Sequence, residues 1–335
     1  MSKRKVILFF RKLRSTGNFS IEMSFERMVG SFPRDSKFEL GSFTSTHFSN
    51  GIIPRLRGVM EARRFRGDIN HVTGDVHYLA LGLPGQKTLL TIHDCGFMAH
   101  PNPLARKILK WFWLDLPVHH CRYVTAVSEA TKRDIIHYTG CSPDKVVVVP
   151  TIISDEFRRS EREFKAECPR ILHIGLAHNK NFERHVEAIA GIQCCFHIIG
   201  KLDASHVGLL EKYGIDYTSE YNISQSDIHR AYAECDLLLF ASTLEGFGMP
   251  ILEAQSVGRP VITSNLSSMP EVAGSGACLV DPCNVESIRD GLLKVIGDRE
   301  YRDALIEKGF DNIKRFSAEA VARQYEALYA AMAGT

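Results

Sequence analysis

Glu245 and Glu253 stand with seven residues between them in the segment 237–253, LLLFASTLEGFGMPILE. Ahead of them Leu237, Leu238, Leu239 and Phe240 form a short apolar run, the pattern of a strand covered by helices on both faces. Gly246 and Gly248 then allow positive φ or close approach of a ligand to the backbone. Pro250 is preorganised for the start of a helix, and Ile251, Leu252, Ala254 and Val257 follow at helical spacing. The segment therefore reads as strand, glycine loop, helix. Amides at such a helix start, with the dipole behind them, attract a phosphate or a polarised oxygen. Gly246, Phe247, Gly248, Met249 and Pro250 would line that site. Glu245 in the loop and Glu253 about one turn into the helix place two carboxylates, each able to accept from hydroxyl donors, on either side of that anion site. The plainer alternative for Glu253 is a first-turn acid that favours the helix dipole. Retaining glycosidases also use two carboxylates, but there they flank the scissile bond. Here both belong to one loop, which argues for holding a ligand.

The block EGFGMPILEA, with GRPVITS and MPEVAG after it, resembles the retaining glycosyltransferases of family 4, the glycosyl transferases of group 1. The resemblance implies the GT-B fold, an α/β architecture of two Rossmann-like doubly wound domains facing across a cleft. It also implies a nucleoside diphosphate sugar as donor, and retention by a front-face route in which the departing phosphate helps to deprotonate the acceptor. Family members carry His-Asp where this chain has His93-Asp94, and the resemblance places His93 beside the transferred sugar. A histidine satisfied by local backbone is the alternative there. Gly17-Asn18 stands where the family has a Gly-Gly pair that lets the backbone approach the donor phosphates. The alternative is a plain β-to-α turn glycine. After Gly175 the family has an Arg and then a Lys that hold the diphosphate. Lys180 fits the second position, or else is a solvated helix-start lysine. Leu176 occupies the first, which leaves Arg184 as a substitute cation. The resemblance thus implies His93, Glu245 and Lys180 as catalytic residues. Gly17, Asn18, Gly175, Lys180, residues 246–250 and Glu253 would bind the donor.

Positioning these residues takes alternating strands and helices in both halves of the chain. Residues 6–10, 38–46, 88–92, 123–127 and 145–149 read as strands of the first half, and 19–29 and 52–66 as helices, the latter carrying five arginines. The second half restarts at residues 171–174, with further strands over 196–200, 215–217, 237–240 and 261–262. Ser128 and Ser224 read as helix caps. The expected division is 1–155, an acceptor-side domain, and 156–316, a nucleotide-sugar-binding domain. Residues 317–335 then form a helix that returns to the first. Residues 106–116, RKILKWFWLDL, place Lys107 and Lys110 beside Trp111 and Trp113 in a short helical stretch. That combination suits a helix on an anionic membrane surface, and packing against the sheet explains its apolar part equally well.

Composition sets the remaining bounds. A chain of 335 residues, 44% hydrophobic and 24% charged, is long enough for two cores and too apolar for disorder. Its nine cysteines are odd in number and form no CxxC, which excludes a disulfide framework and suggests buried thiols in a reducing, cytoplasmic compartment. Residues 6–10 are too short for a signal peptide, and no run approaches a membrane span. The net charge of +2 conceals an asymmetry. To residue 150 there are 22 Lys and Arg against 12 Asp and Glu, a balance of +10; beyond it 19 stand against 27, or −8. A basic half suits an anionic membrane or acceptor.

These features point to a retaining hexosyltransferase acting on a nucleotide sugar and a saccharide acceptor, one carried on a lipid at the inner face of the cell membrane, in surface polysaccharide or glycolipid assembly. No cofactor is expected, and no D-x-D motif is placed to hold a divalent metal. Two rivals stand beside this reading. A GT-B-shaped nucleotide-sugar epimerase would isomerise donor without acceptor, and a non-catalytic sugar-nucleotide or membrane-binding module would do neither. Nucleic-acid binding ranks below all of these, because no aromatic stacking platform accompanies the basic charge.

Overall fold

The computed structural model describes residues 3–13 and 20–334, and its backbone divides into two units, residues 1–152 with 316–335 and residues 153–315. The first contains strands β1 (Arg4–Phe10), β2 (Phe38–Thr44), β3 (Ile69–Val72), β4 (Thr88–Ile92), β5 (Tyr123–Ala126) and β6 (Val146–Val148). They form one parallel sheet in the order β2-β1-β3-β4-β5-β6. The strands are apolar runs such as VILFF in β1, buried on both faces because helices cover both, as a parallel sheet requires. Helices α1 (Ser20–Gly30), α2 (Ile52–Ala62), α3 (Pro103–Leu109), α4 (Leu116–His120) and α5 (Glu129–Thr139) supply the covers, and a π-helical stretch, Lys110–Asp115, joins α3 to α4.

Two cores result. On one face Phe9, Phe43, Ala62 of α2, Leu79, Leu114, Val118 of α4 and Ile135 of α5 pack together. On the other, Leu8, Phe25 and Met28 of α1 meet residues of the C-terminal helix.

The second unit contains β7 (Arg170–Ile174), β8 (Cys195–Ile199), β9 (Tyr217–Glu220), β10 (Leu237–Phe240), β11 (Val261–Ser264) and β12 (Cys278–Val280). Its helices are α6 (Phe182–Ile189), α7 (Ala204–Lys212), α8 (Gln225–Glu234), α9 (Met249–Val257), α10 (Met269–Ala273), α11 (Val285–Gly297) and α12 (Arg299–Ile313). The chain ends in α13 (Ala318–Ala333), which belongs to the first unit. The second sheet is also parallel, ordered β12-β11-β10-β7-β8-β9. From β7 the chain winds outward through β8 and β9, then returns to β10 and winds the other way. Neighbours β7 and β10 therefore mark the switch point of a doubly wound sheet, where the loops at their carboxyl ends part and leave a crevice. Both sheets and their helices make up the α/β GT-B fold.

Several elements differ from the sequence reading. Helix α2 stops at Ala62, four residues short of the expected end, and β9 begins at Tyr217. Strands β3 and β12 were not anticipated. Residues Asn70 and His71 give β3 no apolar run, although all four of its residues are buried. His71 is accepted inside because both ring nitrogens are bonded, Nδ1 to Tyr329 Oη at 2.8 Å and Nε2 to Thr91 Oγ1 at 2.7 Å.

Candidate active site

In the second unit the loop after β7 and the loop after β10 are laced together. Asn179 carries most of the stitching. Its carbonyl accepts from the Thr243 amide at 2.8 Å, and its side-chain amide donates to the Leu244 carbonyl at 2.8 Å. Asn181, buried with φ 62°, donates to the carbonyls of Ala241 at 3.0 Å and Pro282 at 2.7 Å. Between these two asparagines Lys180 reaches the opposite loop. Its Nζ lies 2.6 Å from Glu245 Oε1 and 4.6 Å from the centre of the Phe240 ring. Both members of the ion pair are mostly buried, with 20% and 14% of their side chains exposed.

Gly175 (φ 86°) sits against this lysine, where an added Cβ would come within 3.2 Å of Lys180 Cγ and Cε. Its carbonyl is fixed by His173 Nε2 at 2.7 Å, so that nitrogen carries the proton. His173 Nδ1 must then accept from His185 Nδ1, 3.0 Å away. Burial pushes His173 down to about 4 and His185 well below the ordinary histidine range. Both rings are therefore neutral at pH 7.

The other wall of the loop is held by two serines before α10. Ser267 Oγ donates to the Glu245 carbonyl at 2.7 Å, and Ser268 Oγ shares its proton between the carbonyls of Phe247 at 2.7 Å and Glu245 at 3.0 Å. The loop then enters α9 through Gly248, whose φ of 111° lies where side chains are strongly disfavoured. Met249 and Pro250 open the helix, whose amino end therefore begins four residues beyond Glu245 in the chain. One turn on, Glu253 Oε2 accepts from the Tyr232 hydroxyl at 2.6 Å. Tyr232 is fully buried on α8; burial first, and then the Glu253 charge, raise its pKa well above the usual range, so it stays a donor.

The structure thus brings Gly175, Lys180, Glu245, Gly246, Phe247, Gly248, Met249, Pro250 and Glu253 into one region at the switch point. Arg184 does not join them as a free cation. It is exposed on α6 and its guanidinium donates to Asn181 Oδ1 at 2.9 Å, bracing the asparagine instead. Leu176 is turned onto Gly200, where a Cβ would meet it at 2.8 Å, so this position supplies packing and no charge. Gly17 and Asn18 lie outside the described residues. In the first unit, His93 follows β4 and its Nε2 donates to the Thr73 carbonyl at 2.8 Å, the local satisfaction that was the alternative for this residue. Among the described residues no three His, Cys, Asp or Glu side chains gather as a metal ligand set.

The site also contains residues that sequence reasoning did not select: Tyr232, Ser267, Ser268 and the two asparagines. The asparagines alone carried a signal, as polar flanks of Lys180 at a β-to-α turn.

Comparison with known proteins follows the same division. Residues 154–311 match the family described as Glycosyl transferases group 1, and residues 31–157 match Glycosyltransferase Family 4. O-antigen chain mannosyltransferase B of Escherichia coli is 37% identical over 97 residues, which cover 29% of this chain and 26% of that protein. O-antigen chain mannosyltransferase RfbU of Salmonella typhimurium is 23% identical over 248 residues, covering 68% of this chain and 67% of that one. The chain spans about a quarter of the length of the first curated relatives it matches. Among solved structures, HepE of Anabaena in complex with UDP and glucose superposes with a TM-score of 0.76 at 15% identity, over 98% of this chain and 100% of that one.

Proposed function

The chain belongs to the glycosyl transferases of group 1, and from that premise we propose that it moves a hexose-type sugar, with retention, from a nucleoside diphosphate sugar to a saccharide acceptor. The acceptor is carried on a lipid at the cytoplasmic side of the cell membrane, and the reaction belongs to surface polysaccharide or glycolipid assembly. Relatives that are O-antigen chain mannosyltransferases support that setting and make mannose the first sugar to test. A uridine nucleotide heads the bases to try, because HepE is solved with one.

The observation that carries this reading is the Lys180–Glu245 pair beside the opening turn of α9. A diphosphate seated there meets an ammonium with three donors, enough to keep Glu245 and bind a phosphate oxygen as well. The helix amides add fixed positive potential where negative charge grows as the sugar departs. Breaking the bond between anomeric carbon and phosphate leaves the electron pair on the diphosphate. The same phosphate oxygen then takes the acceptor hydroxyl's proton as the new bond forms on the face it left. Glu245 and the Phe247 and Gly248 amides orient the sugar, and Glu253 the ribose. In this reading Lys180 and the helix start carry the leaving-group charge without a metal.

Screening nucleoside diphosphate sugars for a rise in melting temperature identifies the donor, since only a ligand of the folded state raises it. The hit is then offered with lipid-linked saccharides. Transfer should fall at least a hundredfold in Lys180→Met and Glu245→Ala, the scale seen when one charge-stabilising donor is removed. The proposal fails if no nucleotide sugar stabilises the protein, or if Lys180→Met transfers sugar at the native rate.

A further inference from the structure

Helix α2 and the α3–π segment lie over the same face of the first sheet: Ala62 of α2 and Leu114 of the π-helical stretch are buried in one core cluster, and the Arg55 guanidinium sits 4.7 Å over the Trp113 ring. Their outer sides are apolar. On α2 Ile52, Ile53, Leu56 and Met60 are exposed, and on the second segment Leu104, Ile108 and Trp111 recur at spacings of four and three, a single helical stripe. Each of these seven is between 56% and 75% exposed. Phe112 and Trp113, by contrast, pack inward against Tyr78, so Trp111 is the one indole available to a partner.

Charge surrounds the stripes. Arg57, Arg63, Arg64, Arg66, Arg106 and Lys107 are exposed, and among the described residues none of them has an ion-pair partner. Lys110 does, with Asp115 at 2.7 Å, and Glu61 accepts from the Thr46 amide.

We infer that this two-helix face docks on an anionic lipid surface, the helices lying in the plane of the headgroups with Leu56, Met60, Ile108 and Trp111 below it. An apolar stripe rimmed by unpaired cations is complementary to acyl chains beneath a sheet of negative headgroups. A second copy of the chain would bring the same six cations against themselves, and a nucleic acid would leave the stripes in water. Among the described residues no helix is long and apolar enough to cross a membrane. The inference goes beyond sugar transfer: it needs neither donor nor acceptor.

The test uses the full chain and vesicles of phosphatidylglycerol in phosphatidylcholine, with pure phosphatidylcholine as control. Trp111 and Trp113 are the only tryptophans. Anionic vesicles should blue-shift the emission and shield it from acrylamide. Trp111→Phe should abolish the shift while flotation persists. Leu56→Ser with Ile108→Ser, and separately Arg57→Gln with Arg64→Gln, should each weaken flotation about tenfold or more, and high salt should weaken the native protein likewise. All five substituted positions are exposed, and unchanged melting curves confirm that the variants fold. Absence of flotation at low salt, flotation indifferent to both double variants, or a lipid-free dimer dissolved by Leu56→Ser would overturn the inference. A protein that transfers sugar but ignores vesicles overturns it alone and leaves the transferase reading standing.

Discussion

Tyr232 illustrates how a side chain with no contact to a ligand can set a site. Its hydroxyl reaches Glu253 at 2.6 Å, and its ring stands edge-on to Phe157 at 5.3 Å, so the phenol has one orientation and imposes one on the carboxylate. Tyr232→Phe removes the donor and keeps the ring. The expected result is a donor KM raised about tenfold with kcat little changed, plus a loss of about 1–2 kcal/mol of stability. An unchanged KM in steady-state kinetics would show that Glu253 needs no such brace. The Lys180–Glu245 pair makes a different prediction. Removing one partner of a mostly buried pair strands the other, whereas replacing both restores a neutral interior. Lys180→Met should therefore cost about 1–3 kcal/mol in denaturant unfolding, and Lys180→Met with Glu245→Leu clearly less, although both variants lose transfer. Lys180 and Glu245 were legible because they fall in motifs. Tyr232, Ser267 and Ser268 were not, because they act through atoms that only the fold brings near, 21 to 23 residues away along the chain.

At the scale of elements, α9 is secured at its far end as firmly as at its first turn. Gln255 Nε2 donates to the carbonyls of Ala273 and Gly276, and Asn312 of α12 donates to Gln255 Oε1 and the Val272 carbonyl, each at 2.8 Å. This buried amide relay ties α9 to α10 and α12, so the helix that presents its amides cannot drift. Asn312→Leu leaves the Gln255 and Val272 oxygens without a donor inside the protein. It should lower stability by about 2–4 kcal/mol and weaken nucleotide-sugar binding, measured by chemical denaturation and by titration of donor. A full-affinity, fully stable variant would show that water replaces the relay. The parallel strands β1, β4, β7 and β10 could be read from their apolar runs. Strand β3 escaped because Asn70 and His71 interrupt the pattern, and what lets them be buried, bonds to Tyr329 and Thr91 among others, lies up to 258 residues away. Helix α2 ends earlier than Arg63, Arg64 and Arg66 suggest, because past Ala62 the Arg64 and Phe65 amides bond only three residues back, to the Glu61 and Ala62 carbonyls, and the α-helical ladder stops.

For the molecule as a whole, both units depend on histidines that are buried uncharged, and this sets the direction of its acid response. In the first unit burial, and then the charge of His93, push His71 down to about 3. In the second, burial lowers His173 to about 4 and His185 well below its ordinary range. Unfolded histidines titrate near pH 6.5, so below that pH the unfolded chain binds protons that the folded units refuse. Stability from these groups is therefore complete above about pH 6.5 and declines as pH falls toward the folded values. Each such group contributes about 1.4 kcal/mol per pH unit in that window. Burial lowers His77 in the first unit and His197 in the second as well, so each unit contains at least two such groups and both lose stability by this route. Across two pH units that approaches the whole stability of an ordinary domain. Calorimetry from pH 7.5 to 4.5 should show a melting temperature that begins to fall below about pH 6.5. Limited proteolysis should cut both units faster at pH 5 than at pH 7.5. A His71→Asn variant, which has no imidazole to protonate there, should weaken the response of the first unit and leave that of the second unchanged. A melting temperature constant down to pH 5 would mean that these rings accept protons without leaving their places, contrary to bonds that already occupy both nitrogens of His71 and three of the four nitrogens of the His173–His185 pair.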